Sequence, residues 1–365
     1  MNASAVASRR RPERKAEPPI RLLIVDDSPV ARAVLSRMIA GNPEFEVVAL
    51  AGSAGEALDA LRTVRVDIVL LDVEMPGASG LEALPVILEA GEGARVLIVS
   101  SMCEDGAETT VRALALGAAD TLPKPGTGNF AGHFSEVLAD RLRRIGRAGR
   151  DKAAEAAPLD NHIHLRDMPD DKLGCVAIGA STGGLHALIE LLRGLSGRIG
   201  APILVTQHLP EIFMSHYARQ LQSACGWEAR VVGHGEPLAH DVIHVAPGDA
   251  HLCLERHGRE VRVRLDRSRA PSGCLPSVDP MLASVGEIYG RAGVGVMLSG
   301  MGRDGLIGSK RLVERGGAML AQDRLSSSIW GMPRAVAEAG LASAVLAPPE
   351  LARRIAQRAG SEKWK

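Results

Sequence analysis

The stretch Gly179-Ala180-Ser181-Thr182-Gly183-Gly184 joins an apolar run to an amphipathic run. The residues before it, Cys175-Val176-Ala177-Ile178, are all apolar and predict a buried strand, whereas leucine and isoleucine recur at helical spacing from Leu185 onward. A sharp turn from strand to helix puts the Ser181 hydroxyl at its crest, and the glycines let a substrate approach the backbone. The stretch is therefore typical of a nucleophile, or of a Gly-rich loop that holds a phosphate at a helix N-terminus.

A histidine and an aspartate follow two later apolar runs. His208 comes shortly after the run 201–206, and Asp304 lies in the loop after the run 294–298. Chemistry in an open α/β sheet belongs just beyond the carboxyl ends of the strands. We therefore predict Ser181 as nucleophile, His208 as base and Asp304 as orienting acid. His186 is the nearest rival base, but it lies within the predicted helix and points away from the turn.

The order of these three residues narrows the class of hydrolase. In α/β-hydrolases the acid precedes the histidine in the chain, and here no strand-end acid lies between Ser181 and His208. An ordinary lipase or esterase is therefore the weaker interpretation.

Composition bounds the kind of protein. The chain has 365 residues, 46% of them hydrophobic, which fits two well-buried domains, and no apolar run approaches the ~20 residues of a membrane span. Its 43 basic and 43 acidic residues balance, and aromatic residues make up 2%, so we expect neither nucleic-acid binding nor membrane insertion. Five scattered cysteines without a Cys-x-x-Cys pair indicate reduced thiols and a cytoplasmic location.

The first half of the chain alternates strand and helix patterns, with polar groups where the strands end. This pattern predicts a doubly wound parallel sheet. The polar groups are Asp26, Asp27, Asp72, Ser100 and Lys124. Oxygen ligands without histidine or cysteine suit Mg²⁺. An aspartate that accepts a phosphoryl group, supported by Mg²⁺, the lysine and the hydroxyl, explains the set. Each residue alone also fits a helix cap, a turn or a solvated side chain.

These patterns divide the chain into two α/β domains. The predicted fold is two doubly wound parallel-sheet domains, a (βα)5 unit and a larger α/β unit, joined by a polar linker. The predicted ranges are a disordered lead-in at 1–19, the first domain at 20–145, the linker at 146–172 and the second domain at 173–362.

The motifs also resemble a known family. Residues 21–145 resemble a response-regulator receiver domain, and residues 173–360 resemble the catalytic domain of the chemotaxis protein-glutamate methylesterases. The motifs that carry the resemblance are Asp26-Asp27-Ser28, Asp72-Val73-Glu74-Met75-Pro76, Val99-Ser100-Ser101, Lys124-Pro125, Gly179-Ala180-Ser181-Thr182-Gly183-Gly184, Gln207-His208-Leu209-Pro210, Pro276-Ser277-Val278-Asp279, Ser299-Gly300-Met301-Gly302-Arg303-Asp304-Gly305 and Trp330-Gly331-Met332-Pro333.

The resemblance implies a reaction. Ser181 would attack the γ-methyl ester of a glutamate in the cytoplasmic domain of a methyl-accepting chemoreceptor, and methanol would leave. His208 would act as base and then acid, held in the correct tautomer by Asp304. The Met301 amide would stabilise the oxyanion, with Thr182 in the same pocket. Some family members also deamidate receptor glutamines.

The resemblance also implies control by phosphorylation. Asp72 would accept a phosphoryl group from a chemotaxis histidine kinase, supported by Ser100 and Lys124. Mg²⁺ would bind Asp27, Asp72 and the Glu74 carbonyl, with Asp26 acting through water. The unphosphorylated receiver of the family covers the catalytic cleft.

Two expectations qualify the resemblance. Thr121 stands where receivers usually carry an aromatic residue, which questions the usual relay from the phosphorylation site. We expect a monomer. The alternative from another class is a non-catalytic, phosphorylation-regulated docking protein in a two-component pathway.

Overall fold

The computed structural model describes residues 18–75, 80–100, 104–124, 131–154, 163–195 and 197–360. The predicted lead-in lies almost wholly outside these residues. Within them, no helix combines the length and the apolar character that crossing a bilayer requires.

The first unit is a parallel five-stranded sheet flanked by helices. Its strands are β1 (Ile20–Val25), β2 (Phe45–Ala51), β3 (Ile68–Leu71), β4 (Arg95–Ser100) and β5 (Asp120–Pro123), in the order β2-β1-β3-β4-β5. Its helices are α1 (Pro29–Ala40), α2 (Ala54–Thr63), α3 (Gly80–Ala90), α4 (Glu104–Ala115) and α5 (Ala131–Ala154). This is the predicted doubly wound (βα)5 arrangement.

Local sequence explains where these helices begin and how far one of them extends. Ser28 caps α1 ahead of Pro29, and Ser53 caps α2 by accepting a hydrogen bond from the Glu56 amide. Helix α5 continues to Ala154, into the stretch predicted as a linker. Alanine and arginine favour helix strongly, so the helix extends without an apolar stripe to indicate it.

The second unit is a parallel seven-stranded sheet. Its strands are β6 (Cys175–Ala180), β7 (Ile203–Gln207), β8 (Glu228–Val231), β9 (Val242–Val245), β12 (Gly293–Met297), β13 (Ala318–Gln322) and β14 (Ala342–Leu346). The order is β14-β13-β12-β6-β7-β9-β8, and β10 (His251–His257) and β11 (Glu260–Asp266) form a separate antiparallel hairpin. The helices are α6 (Gly184–Gly194), α7 (Glu211–Cys225), α8 (Val278–Tyr289), α9 (Leu306–Glu314), α10 (Met332–Glu338) and α11 (Pro348–Ala359).

The strand order creates a crevice beside β6. Strand β7 pairs with one edge of β6, and the much later β12 pairs with the other. The chain therefore leaves β6 toward one side and returns on the other, which opens a crevice at the carboxyl ends of these strands. The loops after β6, β7 and β12 all end at this crevice.

The two units pack against each other. Helix α4 lies against α7, and Ile329 of the second unit is buried in the core cluster that contains Phe134 and Leu138 of α5. The Arg95 guanidinium, at the start of β4, donates a hydrogen bond to the Ser328 carbonyl. The crevice beside β6 therefore faces the first unit.

Candidate active site and phosphorylation site

Ser181 lies at the turn from β6 into α6. Its amide donates to the Ser299 carbonyl (3.0 Å), and its carbonyl accepts from the Gly184 amide (2.8 Å). Gly183 has a φ of 72°, the left-handed conformation that favours glycine, and a Cβ there would collide with Ser328. The glycine is thus required both by the turn and by the close approach of a neighbouring loop.

His208 and Asp304 form a hydrogen-bonded pair in the crevice. His208 Nε2 lies 2.8 Å from Asp304 Oδ2. The same carboxylate accepts a hydrogen bond from the Ser277 hydroxyl at Oδ1 (2.6 Å) and from the Val278 amide at Oδ2 (2.7 Å). Burial acts to raise the pKa of Asp304, but its bonds to His208, Ser277 and Val278 outweigh burial and lower the pKa to about 2. The buried carboxylate is therefore charged at neutral pH.

The orientation of the imidazole is the reverse of the arrangement in chymotrypsin-type triads. There the acid binds Nδ1 and Nε2 faces the serine, whereas here the acid binds Nε2. Nδ1 is thus left to accept a proton from a nucleophile. Among the described residues no hydrogen bond joins the Ser181 hydroxyl to His208, although both residues line one cavity.

That cavity has a volume of about 430 Å³, and both units contribute to its walls. Ser181, Thr182 and Met301 come from the second unit, and Asp120 and Arg141 come from the first. The Met301 amide makes no hydrogen bond to any described residue, which leaves it free to bind a developing oxyanion. The structure therefore brings together all five residues predicted for the catalytic site: Ser181, Thr182, His208, Met301 and Asp304.

The start of β5 directly contacts the turn that carries Ser181. The Ala119 carbonyl accepts a hydrogen bond from the Gly183 amide (2.8 Å). The Thr182 hydroxyl donates to Asp120 Oδ2 (3.3 Å), and Asp120 also pairs with Arg141 at 2.7 Å. The first unit thus occupies polar groups next to Ser181 and puts a carboxylate into the crevice.

The predicted phosphorylation site forms at the opposite end of β5. Acidic oxygens of Asp26, Asp27 and Asp72 lie within 4.8 Å of one another. Lys124 Nζ lies 2.6 Å from Asp72 Oδ2 and 3.1 Å from Asp26 Oδ2. Burial raises the pKa of Asp72 above its usual value, because its effect exceeds the lowering effect of the hydrogen bond and charge of Lys124. The Glu74 amide donates to Asp72 Oδ1 (3.1 Å).

This acidic pocket fits Mg²⁺. Buried Asp26 Oδ2 accepts no hydrogen bond from a described residue beyond its ion pair with the lysine, and all the donors are hard oxygens. The Ser100 side chain lies outside the described residues, so its predicted supporting role stays a prediction.

Three polar residues contact the site although the sequence did not predict a role for them. Ser277, the N-cap of α8, holds Asp304, while the buried Gln207 side chain donates to the Ser181 carbonyl (2.9 Å). Asp120 reaches the site from the other unit. Ser277 and Gln207 do lie in the motifs that carry the family resemblance, but their contacts depend on tertiary packing.

A serine at a strand-to-helix turn, beside a histidine that is hydrogen-bonded to a charged carboxylate, is typical of a serine hydrolase. An acidic pocket with a lysine is typical of a domain that accepts a phosphoryl group on an aspartate. Comparisons with known proteins agree. The family model for CheB methylesterase matches residues 176–355, and that for the response regulator receiver domain matches residues 22–129. The chain belongs to the CheB methylesterase family.

Similar proteins extend over nearly the whole chain. A protein-glutamate methylesterase/protein-glutamine glutaminase 2 of Caulobacter vibrioides is 40% identical, over 94% of this chain and 99% of the relative. A protein-glutamate methylesterase/protein-glutamine glutaminase 1 of Paramagnetospirillum magneticum is 37% identical, over 91% of this chain and 94% of the relative. The crystal structure of the Thermotoga maritima CheB methylesterase catalytic domain covers 51% of this chain and 99% of its own, at 33% identity and a TM-score of 0.50.

Proposed function

We propose that this chain is a phosphorylation-activated protein-glutamate methylesterase of chemotaxis adaptation, which removes methyl esters from glutamates of chemoreceptors. The observation that carries the proposal is the His208–Asp304 pair, 2.8 Å apart, in the cavity that Ser181 lines. Family membership and the names of the relatives support the substrate class.

The geometry supports an acyl-enzyme route. Ser181 Oγ attacks the ester carbonyl while His208 Nδ1 accepts its proton, and the Asp304 carboxylate stabilises the imidazolium that forms. The Met301 amide and the Thr182 hydroxyl stabilise the tetrahedral oxyanion. The imidazolium returns its proton to the leaving methoxide, so methanol departs. Water, deprotonated by His208, then attacks the acyl-enzyme and releases the free glutamate.

The same chemistry acts on a glutamine side chain, with ammonia leaving in place of methanol. The relatives' second name, protein-glutamine glutaminase, supports this second activity. The docking alternative gains no support, because Ser181 and His208 line one cavity and Asp304 is hydrogen-bonded to His208.

Control comes from the first unit. Asp72 accepts the phosphoryl group from a histidine kinase. Asp27, Asp72 and the Glu74 carbonyl would hold Mg²⁺, with Asp26 acting through water. When bound, Mg²⁺ neutralises charge on the phosphoryl oxygens. Lys124, which pairs with Asp72, directly follows β5. A phosphoryl group on Asp72 pulls on this lysine and thereby on β5.

The deciding experiment measures methanol release from a methylated receptor cytoplasmic fragment, with and without a small-molecule phosphodonor and Mg²⁺. We expect Ser181→Ala to abolish release and Asp72→Asn to abolish only the stimulation. Ser223→Ala, at an exposed serine of α7, is the matched control and keeps the wild-type rate. Release that persists in Ser181→Ala contradicts the catalytic assignment, and stimulation that persists in Asp72→Asn contradicts the gating.

A further inference from the structure

A thiol that the proposed reaction does not use lies beside the acid–histidine pair. Ligand atoms of Cys274, His208 and Asp304 (the sulfur, a ring nitrogen and a carboxylate oxygen) lie within 4.8 Å of one another. Cys274 is half-buried and lines the 430 Å³ cavity together with Ser181. Cys274 and His208 therefore face one accessible cavity, and the buried Asp304 carboxylate is hydrogen-bonded to the imidazole.

The chemistry of these three groups is that of a zinc site. Thiolate, imidazole and carboxylate are the side chains that bind Zn²⁺, at about 2.0 to 2.3 Å in a tetrahedron. Ligand atoms of such a site are roughly 3.4 to 3.7 Å apart. Separations near the 4.8 Å limit must therefore close by roughly 1.1 to 1.4 Å. If Nε2 and Oδ2 are the ligand atoms, their present separation of 2.8 Å must open by roughly 0.6 to 0.9 Å. Cys274 follows Gly273, whose φ is 74° and whose surroundings are open, so the loop has room to make this adjustment.

The same arrangement does not occur at the other described cysteines. Cys175 and Cys253 are buried, and the Cys225 thiol donates to the Leu221 carbonyl within α7. Among the described residues the other cluster with metal-ligand spacing is the acidic pocket of Asp26, Asp27 and Asp72. That pocket offers only oxygen and suits Mg²⁺, whereas a thiol suits a softer ion.

We propose that Cys274, His208 and Asp304 form a site for a zinc-class divalent cation, and that its occupation reversibly switches the hydrolase off. The inhibitory part rests on the function proposed above. On binding, the Cys274 thiol releases its proton to solvent and the thiolate coordinates the metal. His208 gives a ring lone pair to the metal. If Nε2 coordinates the metal, the ring proton is on Nδ1, which then has no free lone pair. If Nδ1 coordinates the metal, its lone pair is used in that bond and the ring proton is on Nε2. Either way no ring nitrogen can accept the Ser181 proton.

The first experiment titrates Zn²⁺ into the full-length protein during methanol release, with Mg²⁺ in excess to fill the acidic pocket. We expect inhibition that a chelator reverses. Cys274→Ser should need a Zn²⁺ concentration at least about 10-fold higher for the same inhibition. Even the loss of a residue that only hydrogen-bonds a metal ligand typically lowers metal affinity by that factor. Each variant is compared with its own metal-free rate. Cys225→Ser, which removes a thiol of α7, keeps the wild-type Zn²⁺ sensitivity. Equal Zn²⁺ sensitivity in wild type and Cys274→Ser overturns the proposal.

The second experiment measures binding without any need for turnover. Co²⁺ added to the Ser181→Ala protein, again in excess Mg²⁺, should produce a thiolate-to-metal charge-transfer absorption. The acidic pocket cannot produce this signal, because it contains no sulfur. The signal should persist with the additional change Cys225→Ser and vanish with Cys274→Ser. If the charge-transfer signal is missing in Ser181→Ala, or persists in Cys274→Ser, the proposed metal site is wrong. This conclusion does not depend on whether the chain is an esterase.

Discussion

Asp304 shows how one buried carboxylate can be kept charged and fixed in orientation. It is 4% exposed, and it accepts hydrogen bonds from His208, the Ser277 hydroxyl and the Val278 amide. A carboxylate with several such donors has a depressed pKa despite its burial. Because the acid holds Nε2, Nδ1 is the ring nitrogen left to exchange protons with the proposed nucleophile.

The charge of Asp304 should stabilise the fold in a pH-dependent way. Its pKa is about 2 in the folded protein against 3.8 for a free side chain, so it contributes about 2 kcal/mol above the unfolded pKa. This contribution is lost as the pH falls from near 5 toward 2. The free energies of unfolding of wild type and Asp304→Asn should therefore differ at pH 7 and converge near pH 2.

Asp59→Asn, at an exposed ion pair with Arg62, is the control for that comparison. It should change the free energy of unfolding little at any pH, because exposed pairs contribute little. A gap between wild type and Asp304→Asn that stays constant down to pH 2 would contradict the pKa of the buried acid.

Ser277 should act on the rate through Asp304. Removing a hydrogen bond to a charged group costs about 1.5 to 3 kcal/mol, so Ser277→Ala should lower kcat by roughly 10- to 100-fold and leave KM unchanged. The pH profile of kcat should also shift, because the hydroxyl stabilises the acid that holds His208. Ser277→Thr keeps the hydroxyl and should restore most of the rate. A rise in KM alone would mean that Ser277 affects substrate binding instead.

At the scale of elements, β5 connects the two sites. Lys124 directly follows the strand and pairs with Asp72, while Asp120 begins it and contacts Thr182. Four residues of strand span about 13 Å. Thr121 is buried within β5, and its carbonyl accepts a hydrogen bond from Arg141. The strand is thus a continuous link between Lys124 and Asp120, in a chain that has no aromatic residue at position 121.

Removing the Asp120 carboxylate should weaken the closed state. One hydrogen bond contributes about 1 kcal/mol net, so Asp120→Ala should raise the rate without phosphodonor roughly fivefold. The stimulation by phosphodonor should shrink by a similar factor, because in the proposed mechanism phosphorylation breaks this same contact. Asp59→Ala, which removes an acid of α2, should leave both rates unchanged. An unstimulated rate that stays at the wild-type level would show that Asp120 does not restrain the site.

The elements near the site show what the sequence could predict. Apolar runs located β6, β7 and β12 to within a few residues. The strand-end rule grouped Ser181, His208 and Asp304, of which the first two line one cavity and the third is hydrogen-bonded to His208. Strand-end logic succeeds because parallel strands align their carboxyl ends. It cannot tell which imidazole nitrogen the acid holds, since that depends on how the loops after β7 and β12 pack.

The contacts between the two units could not be predicted from the sequence, because they too depend on tertiary packing. Asp120 meets Thr182 across the contact between the units, in which α4 packs on α7, and no local sequence pattern encodes such a pairing. Helix α5 exceeded its expected end because its last turns lack the apolar periodicity by which a helix is recognised, although their residues favour helix.

At the scale of the molecule, the contact between the units includes a partly desolvated cation. Arg95 donates to the Ser328 carbonyl, and burial lowers its pKa to about 10. Desolvating a guanidinium costs free energy, and one neutral carbonyl offsets only part of it. This desolvation opposes the contact between the units, and a phosphoryl group on Asp72 would need such an opposing cost in order to open the interface.

Separating the units should therefore release the hydrolase. The solved Thermotoga maritima catalytic domain covers 51% of this chain at 33% identity, so we expect residues 163–360 to fold without the first unit. This fragment should hydrolyse receptor methyl esters without phosphodonor at about the rate of the phosphorylated full chain. Adding residues 18–154 in trans at micromolar concentration should inhibit it little, because the covalent link supplies an effective concentration in the millimolar range. A fragment as slow as the unphosphorylated chain would mean that phosphorylation activates the crevice by another route than uncovering it.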